Sequence, residues 1–197
     1  ILSKITYLCI RVAHEVYGCA DSVMDFVYGN NRLEHTLIVS PPAYGKTTLL
    51  RDLVRQLSNG CVLSDGTIMD GKNVCIIDER SELAACFKGV PQNDVGVRTD
   101  VLDNCPKSEG MLMAVRALSP QVIAVDEIGG IKDVEAVMYC IHCGCTVFGT
   151  VHGWNEKELL RCNGISTLLG IGAFSRLIFL TDNEKHGVRC VEWREDI

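Results

Sequence analysis

Three sets of residues have types and spacing that could do chemistry together. They are the run Ser40-Pro41-Pro42-Ala43-Tyr44-Gly45-Lys46-Thr47-Thr48, the acidic pairs Asp78-Glu79 and Asp126-Glu127, and a histidine, His152. The run is one glycine short of a phosphate-binding P-loop, which needs glycine, four free positions, glycine, lysine and serine or threonine between a strand and a helix. Such a loop binds phosphate because successive backbone N–H groups and the positive end of the helix converge on one anion. Pro42, Ala43, Tyr44, Gly45, Lys46, Thr47 and Thr48 form the expected nucleotide cradle, with its donors concentrated from Tyr44 onward because Pro41 and Pro42 carry no N–H. Lys46 can reach the β- and γ-phosphates, and the Thr47 hydroxyl can ligate Mg²⁺. Ser40 and Ala43 stand where glycine is usual, which is costly if either position needs positive φ. The alternative is a strand-to-helix turn that holds Gly-Lys-Thr by chance. The context favours the loop, because an apolar Thr36-Leu37-Ile38-Val39 precedes it and Leu49, Leu50, Leu53, Val54 and Leu57 come after it at helical spacing.

Val122-Ile123-Ala124-Val125-Asp126-Glu127 has the form of a Walker B strand, with Asp126 for the Mg²⁺ shell and Glu127 to orient or activate water. Val74-Cys75-Ile76-Ile77-Asp78-Glu79 repeats the design one strand earlier. Alone, Asp78 and Glu79 would read as cap or ion-pair residues after a strand. Beside a P-loop, both pairs are candidates to face the γ-phosphate, and the general base stays open between Glu79 and Glu127, with Glu127 preferred. His152 ends the apolar run from Thr146 and is a candidate γ-phosphate sensor, against the plainer reading of a structural or exposed histidine.

These groups meet only if the strands carrying them lie side by side and end at one edge. Strands are expected over Thr36–Ser40, Val74–Asp78, Val122–Asp126 and Thr146–Val151, with a terminal hairpin of Leu177–Thr181 and Val188–Trp193 joined through Lys185-His186-Gly187. Helices are expected over Lys46–Leu57, Glu109–Leu118 and Ile131–Cys143. Ser58–Lys72, with its Asn-Gly and Asp-Gly pairs, reads as turns, and Arg80–Asp103 as a long polar loop. Ile1–Tyr28 is ambiguous between helix and strand. The alternation predicts an α/β fold with a mostly parallel sheet, helices on both faces and a C-terminal antiparallel hairpin, its ligands at the carboxyl edge.

The 197 residues are 47% hydrophobic, enough for one domain burying about 70% of its unfolded surface. A formal net charge of −6 argues against general attraction to nucleic acid or anionic membrane. No apolar run approaches a bilayer span, and residues 1–12 lack a signal-peptide core, so the expected location is cytoplasmic. Eleven cysteines, an odd number scattered through apolar stretches, read as reduced packing residues. The cluster Cys140, His142, Cys143 and Cys145 has no second pair at zinc spacing to complete it.

The chain resembles the stage III sporulation protein AA ATPases, which are similar to the motor ATPases of type II and type IV secretion. Beyond the P-loop, the resemblance rests on Ile77-Asp78-Glu79-Arg80-Ser81-Glu82, the run Pro91-Gln92-Asn93-Asp94-Val95-Gly96-Val97-Arg98-Thr99-Asp100-Val101-Leu102-Asp103, Cys105-Pro106-Lys107, Asp126-Glu127-Ile128-Gly129 and Thr150-Val151-His152-Gly153. Ser40, Ala43, Tyr44 and Gly130 depart from the family pattern. The resemblance implies a RecA-like core and Mg²⁺-dependent ATP hydrolysis. It also implies a homo-oligomer, expected as a hexamer, peripheral to membrane-embedded sporulation channel proteins on the mother-cell side. It further implies that residues 31–197 are the ATPase domain and 1–30 a lead-in from an N-terminal domain. A motor with ATP between subunits needs an arginine in trans; Arg98 is the first candidate and Arg116 the second, each weighed against a plain intramolecular salt bridge. Two other readings stay in play: an assembly module that binds nucleotide with little turnover, and a RecA-like ATPase acting on nucleic acid.

Overall fold

In the computed structural model, residues 6–7, 15–29, 31–181 and 187–194 are described. The helix-or-strand ambiguity before residue 15, and Lys185 and His186 of the hairpin connection, lie outside them. In chain order, α1 (Asp21–Val27) leads to a short ladder of β1 (Tyr28–Gly29) and β2 (Arg32–Leu33), then to β3 (Thr36–Ser40) and α2 (Lys46–Asn59). Next come a hairpin of β4 (Gly60–Val62) and β5 (Ile68–Asp70), then β6 (Val74–Asp78), β7 (Thr99–Asp103), α3 (Lys107–Leu118), β8 (Val122–Val125) and α4 (Ile131–His142). The rest is β9 (Thr146–His152), α5 (Glu156–Leu159), α6 (Asn163–Gly170), β10 (Arg176–Thr181) and β11 (Gly187–Glu192).

Seven strands form the main sheet in the order β11-β10-β3-β9-β8-β6-β7, parallel except for β11, which pairs antiparallel with β10. This is the doubly wound, mostly parallel sheet with a terminal antiparallel hairpin that the alternation of patterns implies. Its central strands are buried on both faces, so they read as continuous apolar runs. Alternate residues divide between two cores. Leu37, Val39, Ile77, Ile123 and Val125 pack with Met111, Val137, Leu168 and Phe174, on the side of α3, α4 and α6. Ile38, Ile76, Val122 and Ala124 pack with Leu50, Leu53 and Leu57 of α2. Ala20, Val23, Met24 and Val27, in and before α1, belong to that second core. Each fully buried leucine of α2 contributes about 1.5–3 kcal/mol. α2 ends at Gly60, whose φ of 83° suits glycine and whose N–H donates to Gln56 O. Gly110 lets α3 lie close on β6, because a Cβ there would stand 2.6 Å from Ile77 Cγ2.

Three expectations need correction. Arg80–Asp103 is not loop throughout: β7 forms its end and the edge of the sheet, with Val74 to Asp78 opposite Thr99 to Asp103. Ser58–Lys72 contains the β4–β5 hairpin as well as turns. The strand after α3 stops at Val125, one residue early, because Asp126 turns out of the ladder. Among the described residues no helix is long and apolar enough to cross a membrane.

Candidate functional site

The sheet order builds the site. β3, β9, β8 and β6 are consecutive neighbours running the same way, so their carboxyl ends deliver the P-loop, His152, Asp126-Glu127 and Asp78-Glu79 in that order along one edge. Register sharpens this, since Ser40 pairs with His152 across β3 and β9. Ser40 is extended, so the substitution of glycine costs nothing in φ there, while Ala43 sits at φ 67° and Gly45 at 89°. For alanine the left-handed conformation costs about 1–2 kcal/mol.

Lys46 is buried, and its Nζ donates to Ser40 O and Pro41 O, each at 3.0 Å. Burial lowers its pKa, opposed by the charges of Asp126 and Glu127. Its Nζ also lies 3.1 Å from His152 Nδ1, and His152 Nε2 lies 2.9 Å from Glu127 Oε1. An ammonium can only donate, so Nδ1 accepts and Nε2 carries the proton it donates to Glu127. The single ring of His152 thus connects Lys46 to Glu127.

The Thr47 hydroxyl donates to Asp126 Oδ2 at 2.8 Å, and the buried Thr150 hydroxyl donates to Asp126 Oδ1. A hydroxyl beside a carboxylate is the oxygen donor set that suits Mg²⁺, which takes one or two protein oxygens and completes its shell with water and phosphate. Among the described residues no group of three or more histidine, cysteine or acidic side chains could hold a metal ion.

Glu127 adopts φ 55°, a strained value for glutamate, and is pinned on all sides. Its N–H donates to Thr150 Oγ1, its carbonyl accepts from Lys107 Nζ at 2.7 Å, and its Oε2 pairs with Arg80 Nη1 at 2.9 Å. Burial would raise its pKa, but the His152 hydrogen bond and the charges of Arg80 and Lys107 prevail and lower it.

The first acidic pair is arranged differently. Asp78 is 2% exposed, and its carboxylate accepts the backbone N–H groups of Glu82, Leu83 and Ala84 at 2.8–3.0 Å. It staples the turn after β6, so both of its oxygens are spent on backbone where it borders the cleft. Glu79 lies in the cleft wall, 3.3 Å from Lys107 Nζ. Asp78, Glu79, Arg80, Glu82, Lys107, Asp126 and Glu127 line one open cleft of about 250 Å³.

Arg98 is placed elsewhere. It precedes β7 at the amino edge of the sheet, where its carbonyl accepts from Val74 N and its guanidinium reaches Ser58 O at 3.4 Å. With Val74 and Asp78 at opposite ends of β6, the sheet holds it ~13 Å or more from the acidic edge. Arg116, exposed in the last turn of α3, faces that same amino edge.

The site also contains residues that sequence reasoning did not single out as functional: Arg80, Lys107, Thr150 and Trp154. Trp154, 58% exposed, meets Tyr44 of the P-loop edge-to-face, with ring centroids 5.7 Å apart. Lys107 did leave a signal, because a lysine opening a helix opposes the macrodipole and needs another reason to be there. The cysteines among the described residues are free, and burial pushes the thiols of Cys75 and Cys140 up to about 12.

The fold has known counterparts. Superposition on the Legionella pneumophila ATPase DotB gives a TM-score of 0.56 at 17% identity, covering 83% of this chain and 46% of that one. The pilus retraction motor PilT, solved with bound ADP, gives 0.56 at 18% identity, with 84% and 48% covered. The Brucella suis VirB11 ATPase of a type IV secretion system, solved with sulphate, gives 0.53 at 14%, with 81% and 47% covered. At these identities the likeness establishes the RecA-like P-loop fold. In sequence, the chain is 27% identical over 165 residues to the Arabidopsis thaliana protein SEEDLING PLASTID DEVELOPMENT 1, covering 83% of this chain and 22% of that protein. It is 40% identical over 185 residues to stage III sporulation protein AA of Bacillus subtilis, covering 91% of this chain and 57% of that protein. The chain therefore spans little more than half of this relative. The family described as sporulation stage III, protein AA matches residues 2–193, and with 192 of 197 positions inside that match the chain belongs to this family.

Proposed function

We propose that the chain is the catalytic core of a Mg²⁺-dependent ATPase of the secretion-motor type, working in sporulation. The observation that carries this reading is the joining of the P-loop to the Walker B strand: Thr47 bonded to Asp126, and Lys46 linked through His152 to Glu127. Lys46 and the N–H groups from Tyr44 to Thr48 would hold the β- and γ-phosphates, and Thr47 and Asp126 would hold Mg²⁺, which neutralises charge on the transferring group. Glu127 would take a proton from a water whose oxygen bonds to the γ-phosphorus. The bond from that phosphorus to the β–γ bridging oxygen breaks, and its electron pair leaves on ADP. Glu79, held by Lys107, is the second candidate for the base. His152 touches both Lys46 and Glu127, a position suited to sensing the γ-phosphate.

By analogy with the sporulation and secretion relatives, the protein would assemble as a homo-oligomer, a hexamer in the simplest case. It would sit on the cytoplasmic, mother-cell side, peripheral to membrane-embedded channel proteins. Arg98 and Arg116, at the far edge of the sheet, could meet a nucleotide only in a neighbouring subunit. The test is phosphate release by the full-length, assembled protein. Lys46→Ala should abolish turnover, and retained turnover would refute the site.

A second reading, nucleotide-dependent assembly with little hydrolysis, draws on Ala43 in the left-handed region and on Glu127 having both carboxylate oxygens engaged. Tight ATP binding without phosphate release in the same preparation would favour it.

A further inference from the structure

Arg80 is unlike the other basic groups of the cleft. Lys46 is buried against the carbonyls of Ser40 and Pro41, and Lys107 is anchored between Glu127 O and Glu79 with its side chain 15% exposed. The Arg80 side chain is 61% exposed and holds Glu127 Oε2 at 2.9 Å. The turn that follows it, by contrast, is tied down. Asp78 staples the N–H groups of Glu82, Leu83 and Ala84, the Ser81 hydroxyl donates to Asp103, and Arg51 of α2 donates to the carbonyls of Glu82 and Leu83. A long cationic side chain therefore projects from the start of a tethered turn at the mouth of the cleft, with a path into solvent.

We propose that Arg80 transfers between two anions, pairing with Glu127 as seen here and moving onto the γ-phosphate when a nucleoside triphosphate binds, so that the chain supplies an arginine to its own site. The inference rests on the ATPase reading above. An exposed ion pair with a carboxylate is weak, so leaving it costs little. A γ-phosphate carries more charge and offers a guanidinium two parallel hydrogen bonds. The contacts from Lys46 through His152 to Glu127 and Arg80 trace one wall of the space a γ-phosphate would enter. A single movement has two effects: it places positive charge on the group to be transferred, and it frees Oε2 of Glu127 to accept a hydrogen bond from water. A diphosphate offers no γ-oxygens and leaves the Arg80–Glu127 pair in place, so triphosphate binding and release of the base are one event.

The experiment compares Arg80→Ala and Arg80→Lys with wild type in the full-length protein, measuring equilibrium binding of a non-hydrolysable ATP analogue and of ADP with Mg²⁺, then turnover. Arg80→Ala should lower the preference for the analogue over ADP about tenfold or more, with ADP affinity unchanged within about twofold. Its kcat should fall by ~10³-fold with a much smaller change in KM. Arg80→Lys should recover part of both losses, because it restores the charge without the paired geometry. A wild-type preference for the analogue in Arg80→Ala would overturn the inference while leaving the ATPase reading intact. So would a rise in its turnover, which would make Arg80 merely a restraint on Glu127. If wild type bound neither nucleotide, both the inference and the reading beneath it would fall.

Discussion

Two strand ends in this molecule carry the same sequence pattern, an apolar run ending in Asp-Glu, and they serve different ends. After β8, Asp126 meets Thr47 and Thr150, and Glu127 faces His152 and Arg80 across the cleft. After β6, Asp78 is buried and spends its carboxylate on three backbone N–H groups, leaving Glu79 to pair with Lys107 at the cleft wall. The first pair engages side chains from other elements, and the aspartate of the second engages the polypeptide backbone. The difference lies in the path the chain takes beyond each pair. From Glu127 it goes directly into α4 through Gly129 and Gly130. From Glu79 it makes a tight turn that presents its N–H groups to whatever acceptor is nearest, and Asp78 is that acceptor.

Four substitutions test this division. The largest effect is expected at Glu127. Glu127→Gln should reduce turnover ~10³-fold while binding is kept, and Glu79→Gln should cost less than tenfold; the reverse order, read from single-turnover phosphate release, would exchange the roles of the two strands. Asp78→Ala comes next. It strands three N–H groups beside a buried space and should lower stability in urea denaturation by ~3 kcal/mol, whereas Asp126→Ala should change stability little and weaken Mg²⁺-dependent binding instead.

The smallest effect concerns Asp52 of α2, another carboxylate committed to the fold. Burial alone would raise its pKa, but the Ala20 N–H and Arg55, 2.6 Å away, outweigh burial and hold the carboxyl below its usual value. A depressed carboxyl stabilises the fold above its unfolded pKa and loses that contribution as pH falls through its folded pKa. Asp52→Asn should therefore be less stable than wild type by ~1 kcal/mol at pH 7, and the gap should close on acidification below about pH 4. A gap that does not change with pH would make the contribution one of shape, not charge.

The parts of the fold legible in the sequence are those whose signal is local. β3, β6 and β8 are built on unbroken apolar runs, β9 on one interrupted by Gly149 and Thr150, and α2 carries its leucines at helical spacing, so their residues announce their burial. β7 was illegible because it is an edge strand: Thr99-Asp100-Val101-Leu102-Asp103 keeps Asp100 facing water and Asp103 half-buried on the Ser81 hydroxyl, a composition that protects an open edge but resembles a polar loop. β4 and β5 are three residues each, too short for periodicity to register. The P-loop and both acidic pairs were readable as motifs. Which aspartate spends its carboxylate on backbone was not, since the Asp78 staple depends on a turn conformation that its neighbours do not specify by type. Arg80, Lys107 and Thr150 come from three different elements. They converge on Glu127 because of strand order, which is a long-range property.

The strand between the P-loop and Walker B has a mechanical meaning. β9 is hydrogen-bonded to β3 on one side from Thr36 through Ser40 and to β8 on the other from Val122 through Val125. Sliding either neighbour by one residue would break an entire ladder and turn every buried side chain to the wrong face. The spacing between the lysine that would grip phosphate and the acid that would activate water is therefore as stiff as the sheet itself. Any stroke this domain delivers has to be carried by side chains and by the turns beyond the strand ends, with the sheet as the fixed frame they push against.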